Sequence, residues 1–124
     1  MFDHVKFGVR DFAASKAFYL QALEPLGVTI GGEGPPSYGI EICGSNDASL
    51  CLFETEERTA PLHIAFVART REQVDAFHRA ALAAGGKDNG PPGLRPKYHA
   101  NYYAAFIIDP DGHNIEAVCH AAGN

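Results

Sequence analysis

Residues 4–9 alternate, with Val5, Phe7 and Val9 on one side and His4, Lys6 and Gly8 on the other. That is the period of a strand with one buried face. Residues 63–68 repeat it, with Ile64, Phe66 and Ala68 opposed to His63, Ala65 and Val67. The period then changes to that of a helix. Thr70 predicts an N-cap, and Gln73 completes a capping box. Val74, Phe77, Ala81 and Leu82 form one apolar stripe, which Gly85 and Gly86 bring to an end. In the first half Asp11 opens the equivalent helix, and Phe18, Ala22 and Leu23 supply its stripe up to Gly27.

The two halves are copies of one pattern. An offset of 59 positions sets His4 on His63, Phe7 on Phe66, Arg10 on Arg69, Phe18 on Phe77, Leu23 on Leu82 and Gly27 on Gly86. It runs without a gap through a strand, a helix and the helix stop. Two units in so short a chain indicate a duplicated module with a pseudo-two-fold axis, not a long solenoid. Further short strands are predicted at 28–31, 38–43 and 49–53 in the first unit. The second has a weak strand at 87–89 and stronger ones at 102–109 and 113–119. The DPDG at 109–112 reads as a hairpin turn. Residues 54–61 are polar and join the units. Residues 90–100, GPPGLRPKYHA, are predicted to be a long surface loop, because Gly and Pro oppose regular structure there. The expected fold is α+β, two tandem βαβββ modules (about 1–54 and 62–120) in a single domain over 1–124.

Composition narrows the function classes. The chain has 124 residues, 46% of them hydrophobic, enough for one domain with a core. A net charge of −5 leaves no basic patch for nucleic acid. No apolar run reaches membrane length, and MFDHVKFGVRDF does not resemble a signal peptide. Three cysteines without framework spacing argue against a disulfide scaffold and for a cytoplasmic location. Two short motifs carry little. DPDG lacks the remaining ligands of a calcium loop, and the GGEG at 31–34 has no helix behind it to cradle a phosphate.

The helices must cover the apolar strand faces, so His4 and His63 point to the opposite face in equivalent positions. If Ile115 in the last strand faces a helix, Glu116 shares the side of the histidines. Matching Leu50 to Ile115 makes Cys51 the first-unit counterpart of Glu116. Two imidazoles and a carboxylate form a common divalent-metal set. Taken singly, such a His or Glu is more often an ordinary surface residue, and a cysteine such as Cys51 is more often a small buried hydrophobe. The repeat, which puts both histidines at one geometric position, favours the metal reading.

The start DHVKFGVRDFAASKAFY, the middle HIAF and the end FIIDPDGHNIEAV resemble the vicinal-oxygen-chelate superfamily of glyoxalases, bleomycin-resistance proteins and extradiol dioxygenases. The resemblance implies an open, cup-shaped barrel and a homodimer. It also implies His4, His63 and Glu116 as ligands of a divalent metal (Zn, Fe or Ni). In glyoxalase I a fourth ligand stands where this chain has Cys51, or Phe53 or Glu54 if the register slips. The basic residues that hold glutathione there have no clear equivalent here. Extradiol enzymes carry a His, then a Tyr, then D-P-x-G and the ligand Glu. His99, Asp109, Pro110, Gly112 and Glu116 match, and Phe106 takes the place of the Tyr. The implied function is a metal-dependent lyase, isomerase or dioxygenase acting on a small oxygenated molecule. The alternative is a metal-free binding protein of the bleomycin-resistance kind. Cys51, Arg95, Tyr98, His99, Tyr102 and Phe106 are the candidate substrate contacts, with 90–100 edging the cup. Each has a plainer reading: Tyr98 and Tyr102 as sheet aromatics, Arg95 and Lys97 as solubilising charges.

Overall fold

A computed structural model describes residues 1–44 and 48–123. The elements run β1 (His4–Val9), α1 (Phe12–Leu23), a 3-10 turn (Glu24–Leu26), β2 (Thr29–Glu33), β3 (Ile40–Cys43), β4 (Ser49–Glu54), β5 (His63–Val67), α2 (Arg71–Ala83), β6 (Lys87–Leu94), β7 (Tyr103–Ile108) and β8 (Asn114–Cys119). They form two four-stranded sheets, β1-β4-β3-β2 and β5-β8-β7-β6. In each, the first strand pairs parallel to the last, and the other pairs are antiparallel. The fold is therefore two βαβββ modules with the sheets left open.

Helix starts follow their caps. Asp11 accepts from the Ala14 amide at 3.0 Å. Thr70 accepts from the Gln73 amide, and the Gln73 side chain accepts in return from the Thr70 amide, closing the capping box. The first helix yields at Leu23, because Pro25 has no amide hydrogen to continue the ladder. The two helices pack on one another, and the core of Phe7, Val9, Phe18, Leu52, Phe77 and Ile115 lies between helices and sheets. Leu82 departs from its predicted place in the stripe, being 41% exposed. His78, one turn after Val74, is buried instead and lies 3.0 Å from Asp88.

The β7–β8 turn holds the modules together. Gly112, at φ 90°, takes the left-handed conformation that reverses the chain. Asp109 is buried. Its Oδ1 accepts from the amides of Asp111 (2.9 Å) and His113 (2.8 Å), and its Oδ2 from the buried Tyr19 hydroxyl of α1. Asp111 reaches the first module through Ser15 and the Arg10 amide. His113 packs edge-on against Phe7 and accepts from the Leu62 amide.

One predicted element is corrected. Residues 90–94 are not loop but the second half of β6, despite Gly90, Pro91, Pro92 and Gly93. This strand lies at a sheet edge and pairs only with β7. Its register shifts between Asp88 and Gly90 and again between Gly90 and Gly93. The prolines fall within the second shift, where no ladder hydrogen bond is required of them. The irregular loop is thus confined to 95–102.

Candidate functional site

Register fixes which residues share the face opposite the helices. In the second module Ala65, Glu116 and Phe106 form one row across β5, β8 and β7. In the first, Lys6, Cys51 and Glu41 form the equivalent row across β1, β4 and β3. Val5 opposite Leu50 and Ile64 opposite Ile115 make Cys51 the counterpart of Glu116, as the alternation predicts.

The second module carries a connected polar centre. Glu116 is only 2% exposed. His63 Nε2 lies 2.8 Å from its Oε1, and the Tyr102 hydroxyl donates to its Oε2. Burial, then the bond to Glu116, pushes the Tyr102 phenol up to about 12, so it remains a donor at neutral pH. Among the described residues no Lys or Arg pairs with this carboxylate. Phe106 lies 6.1 Å from the His63 ring, with the Arg95 guanidinium 5.4 Å above it. Arg95 is anchored by the Pro91 carbonyl at 2.7 Å. The 95–102 loop brings Tyr98 (4.8 Å) and His99 (5.4 Å) against the Tyr102 ring. His120, which the sequence reading missed, meets His99 at 2.8 Å and packs on Tyr102.

The first module holds the other half. His4 is half-exposed, its Nδ1 2.6 Å from Asp3. Among the described residues of one chain, no three His, Cys, Asp or Glu side chains converge. His63 and Glu116 are thus together, and among the described residues of one chain no third such side chain joins them. Cys51 is a half-buried free thiol. Burial, then the Glu41 carboxylate, pushes it up, which opposes thiolate formation. Ser49 donates to Glu41 at 2.8 Å. A cavity of about 560 Å³ opens where β5 meets the first module, lined by His63, Ile64, Phe66, Val5, Ile42 and Leu50.

The glyoxalase/bleomycin resistance protein/dioxygenase superfamily model matches residues 1–117. No curated protein matches the chain. Among solved structures, a glyoxalase/bleomycin resistance protein from Albidiferax ferrireducens T118 is 33% identical, with a TM-score of 0.79 over 98% of this chain and 99% of that one. The oxidase ChaP-H2 is similar in fold at 23% identity (TM-score 0.69, covering 100% and 96%). So is the lactoylglutathione lyase from Agrobacterium tumefaciens at 17% identity (TM-score 0.71, covering 95% and 92%). Two βαβββ modules, the His63–Glu116 centre on their open face and a family match over nearly the whole chain lead to one conclusion: the protein belongs to the glyoxalase/bleomycin resistance protein/dioxygenase superfamily.

Proposed function

We propose that this chain is a divalent-metal-dependent enzyme acting on a small oxygenated molecule, and that it works as a homodimer. The observation that carries the reading is the buried Glu116 carboxylate, with which no Lys or Arg pairs among the described residues. A carboxylate in that position is costly unless paired. An imidazole and a phenol are modest partners for it, and the donor set of His63 and Glu116 suits a divalent transition metal. His63 and Glu116 would hold the ion from one copy and His4 from the other, with Cys51 lining the cup unligated.

A homodimer is favoured by what the lone chain leaves open. Strands β1 and β5 are both sheet edges, with Phe2, Val5 and Val67 exposed along them. Unpaired edges with apolar side chains are the surfaces that a second copy covers. In the proposed dimer a second copy would bring its first-module face, and hence a His4, to the second-module centre.

When bound, the metal supplies a Lewis acid for vicinal oxygens. The chain's own residues do the rest. Tyr102 holds Glu116 Oε2, so that Oε1 faces the His63 side. The rings of Tyr98, Tyr102 and Phe106 wall the centre and limit water. The rings of His99 and His120, with nitrogens 2.8 Å apart, stack beside that wall. The alternative, a metal-free small-molecule binder, draws support from the apolar cavity beside His63.

The test is thermal. Zn²⁺, Fe²⁺ or Ni²⁺ added to metal-stripped protein should raise Tm, because a ligand that binds only the folded state stabilises it, by about 2.7 kcal/mol at a hundredfold excess over Kd. His63→Ala should lose the rise. A wild type that no metal stabilises would favour the metal-free binder.

A further inference from the structure

The two equivalent rows of the cup face have diverged in chemistry. The second-module row, Ala65–Glu116–Phe106, supplies the carboxylate centre. The first-module row, Lys6–Cys51–Glu41, puts a cation where its twin has a methyl group. Lys6 stands on the cup side of β1, two residues from His4. Its ammonium lies 5.2 Å from the centre of the Phe53 ring and 5.8 Å from that of Tyr38. Phe53 is on the same face, since a Cβ built on Gly8 would meet its ring at 3.4 Å.

Among the described residues no carboxylate lies within ion-pair distance of Lys6. The nearest acid in its row, Glu41, is on the far side of β4 and engaged by Ser49. Two strand spacings, about 9–10 Å, separate the two backbones. The rings steady the ammonium without neutralising it. In a chain of net charge −5, a cation with no acid beside it among the described residues, resting on Phe53 of the cup face and on the exposed Tyr38, is a feature to explain. Lys16, by contrast, is paired with Glu33 at 2.5 Å.

We infer that Lys6, Tyr38 and Phe53 form a subsite for the carboxylate of a small organic acid with a flat apolar body. The ammonium bonds the carboxylate, and the two rings pack against the body. A single ammonium matches one negative charge, which favours a monocarboxylate over a phosphate ester. The inference deepens the proposed function by naming the substrate class, and rests on it in placing this subsite opposite the Glu116 centre. Lys6 is then a specificity residue, not a metal ligand.

The test uses metal-stripped, full-length protein, so that its failure and that of the metal reading are separable. Its probes are 3-phenylpropionate and the neutral 3-phenylpropionamide, neither of which carries vicinal oxygens. Affinities are measured by calorimetry at low salt. Wild type should prefer the acid by about tenfold, the scale of one charge-assisted hydrogen bond. The preference should shrink as salt rises. Lys6→Met should bind acid and amide alike, and Lys6→Arg should retain the preference. Equal binding by wild type, no binding of the acid, or a preference that survives in Lys6→Met would each overturn the inference. Metal-induced stabilisation of Lys6→Met, measured in parallel, should match wild type whichever way the acid test falls.

Discussion

Asp109→Ala should lower stability by about 3–5 kcal/mol, the largest loss expected from any single polar substitution here. The carboxylate is 5% exposed, and three donors end on it. Two are the backbone amides of Asp111 and His113, which shape the β7–β8 turn. The third is the hydroxyl of Tyr19, itself fully buried. Alanine leaves all three without an acceptor, each costing about 1–3 kcal/mol if no water replaces it. The turn also carries Asp111 to the first module and His113 to Phe7, so loosening it weakens the join between modules. Asp109→Asn keeps one carbonyl oxygen for the two amides and should cost about half as much. Urea unfolding of both variants checks this, and a loss below about 1 kcal/mol for Asp109→Ala would show that the turn does not depend on the carboxylate.

For the site, the largest expected effect is that of Glu116→Ala on metal affinity. Removing the only anionic ligand proposed should weaken binding by at least about a thousandfold, beyond the 10- to 100-fold typical of losing a residue that merely supports a ligand. Cys51→Ala should stay within a few-fold of wild type. The two residues occupy equivalent places in the repeat, so the pair compares one position in two chemical states. A cysteine side chain is shorter than that of glutamate and reaches less far from the same strand position. Competition with a chromogenic chelator measures both. Equal losses would mean a four-ligand site, closed in the manner of structural zinc.

Much of this was legible in the residues. The alternation at 4–9 and 63–68, together with the constant offset between the halves, placed β1 and β5 and their helices. It also matched Cys51 with Glu116 before any register was known. That worked because a strand with one buried face has no freedom in which side chains point outward. Strand β6 was not legible, since local Gly and Pro signals oppose a strand. What permits it is a position at the edge of the sheet with a shifted register, and position in the sheet is a tertiary fact. The bond from Tyr102 to Glu116 comes from an irregular loop, whose path no periodicity encodes. That no third ligand joins His63 and Glu116 among the described residues of one chain was equally hidden, because alternation assigns a face and says nothing of how two sheets sit together. Lys6 was visible all along on the face of His4, but an exposed lysine on an edge strand ordinarily only keeps that edge soluble.

The proposed metal is held between two copies by His4, His63 and Glu116. Anomalous diffraction from crystals grown with Zn²⁺ tests it directly. One ion per cup is expected, ligated by His63 and Glu116 of one copy and His4 of the other at about 2.0–2.2 Å, with Cys51 Sγ outside bonding distance. An ion bound elsewhere, an ion ligated without Glu116, or a cup that stays empty in saturating Zn²⁺ would contradict it.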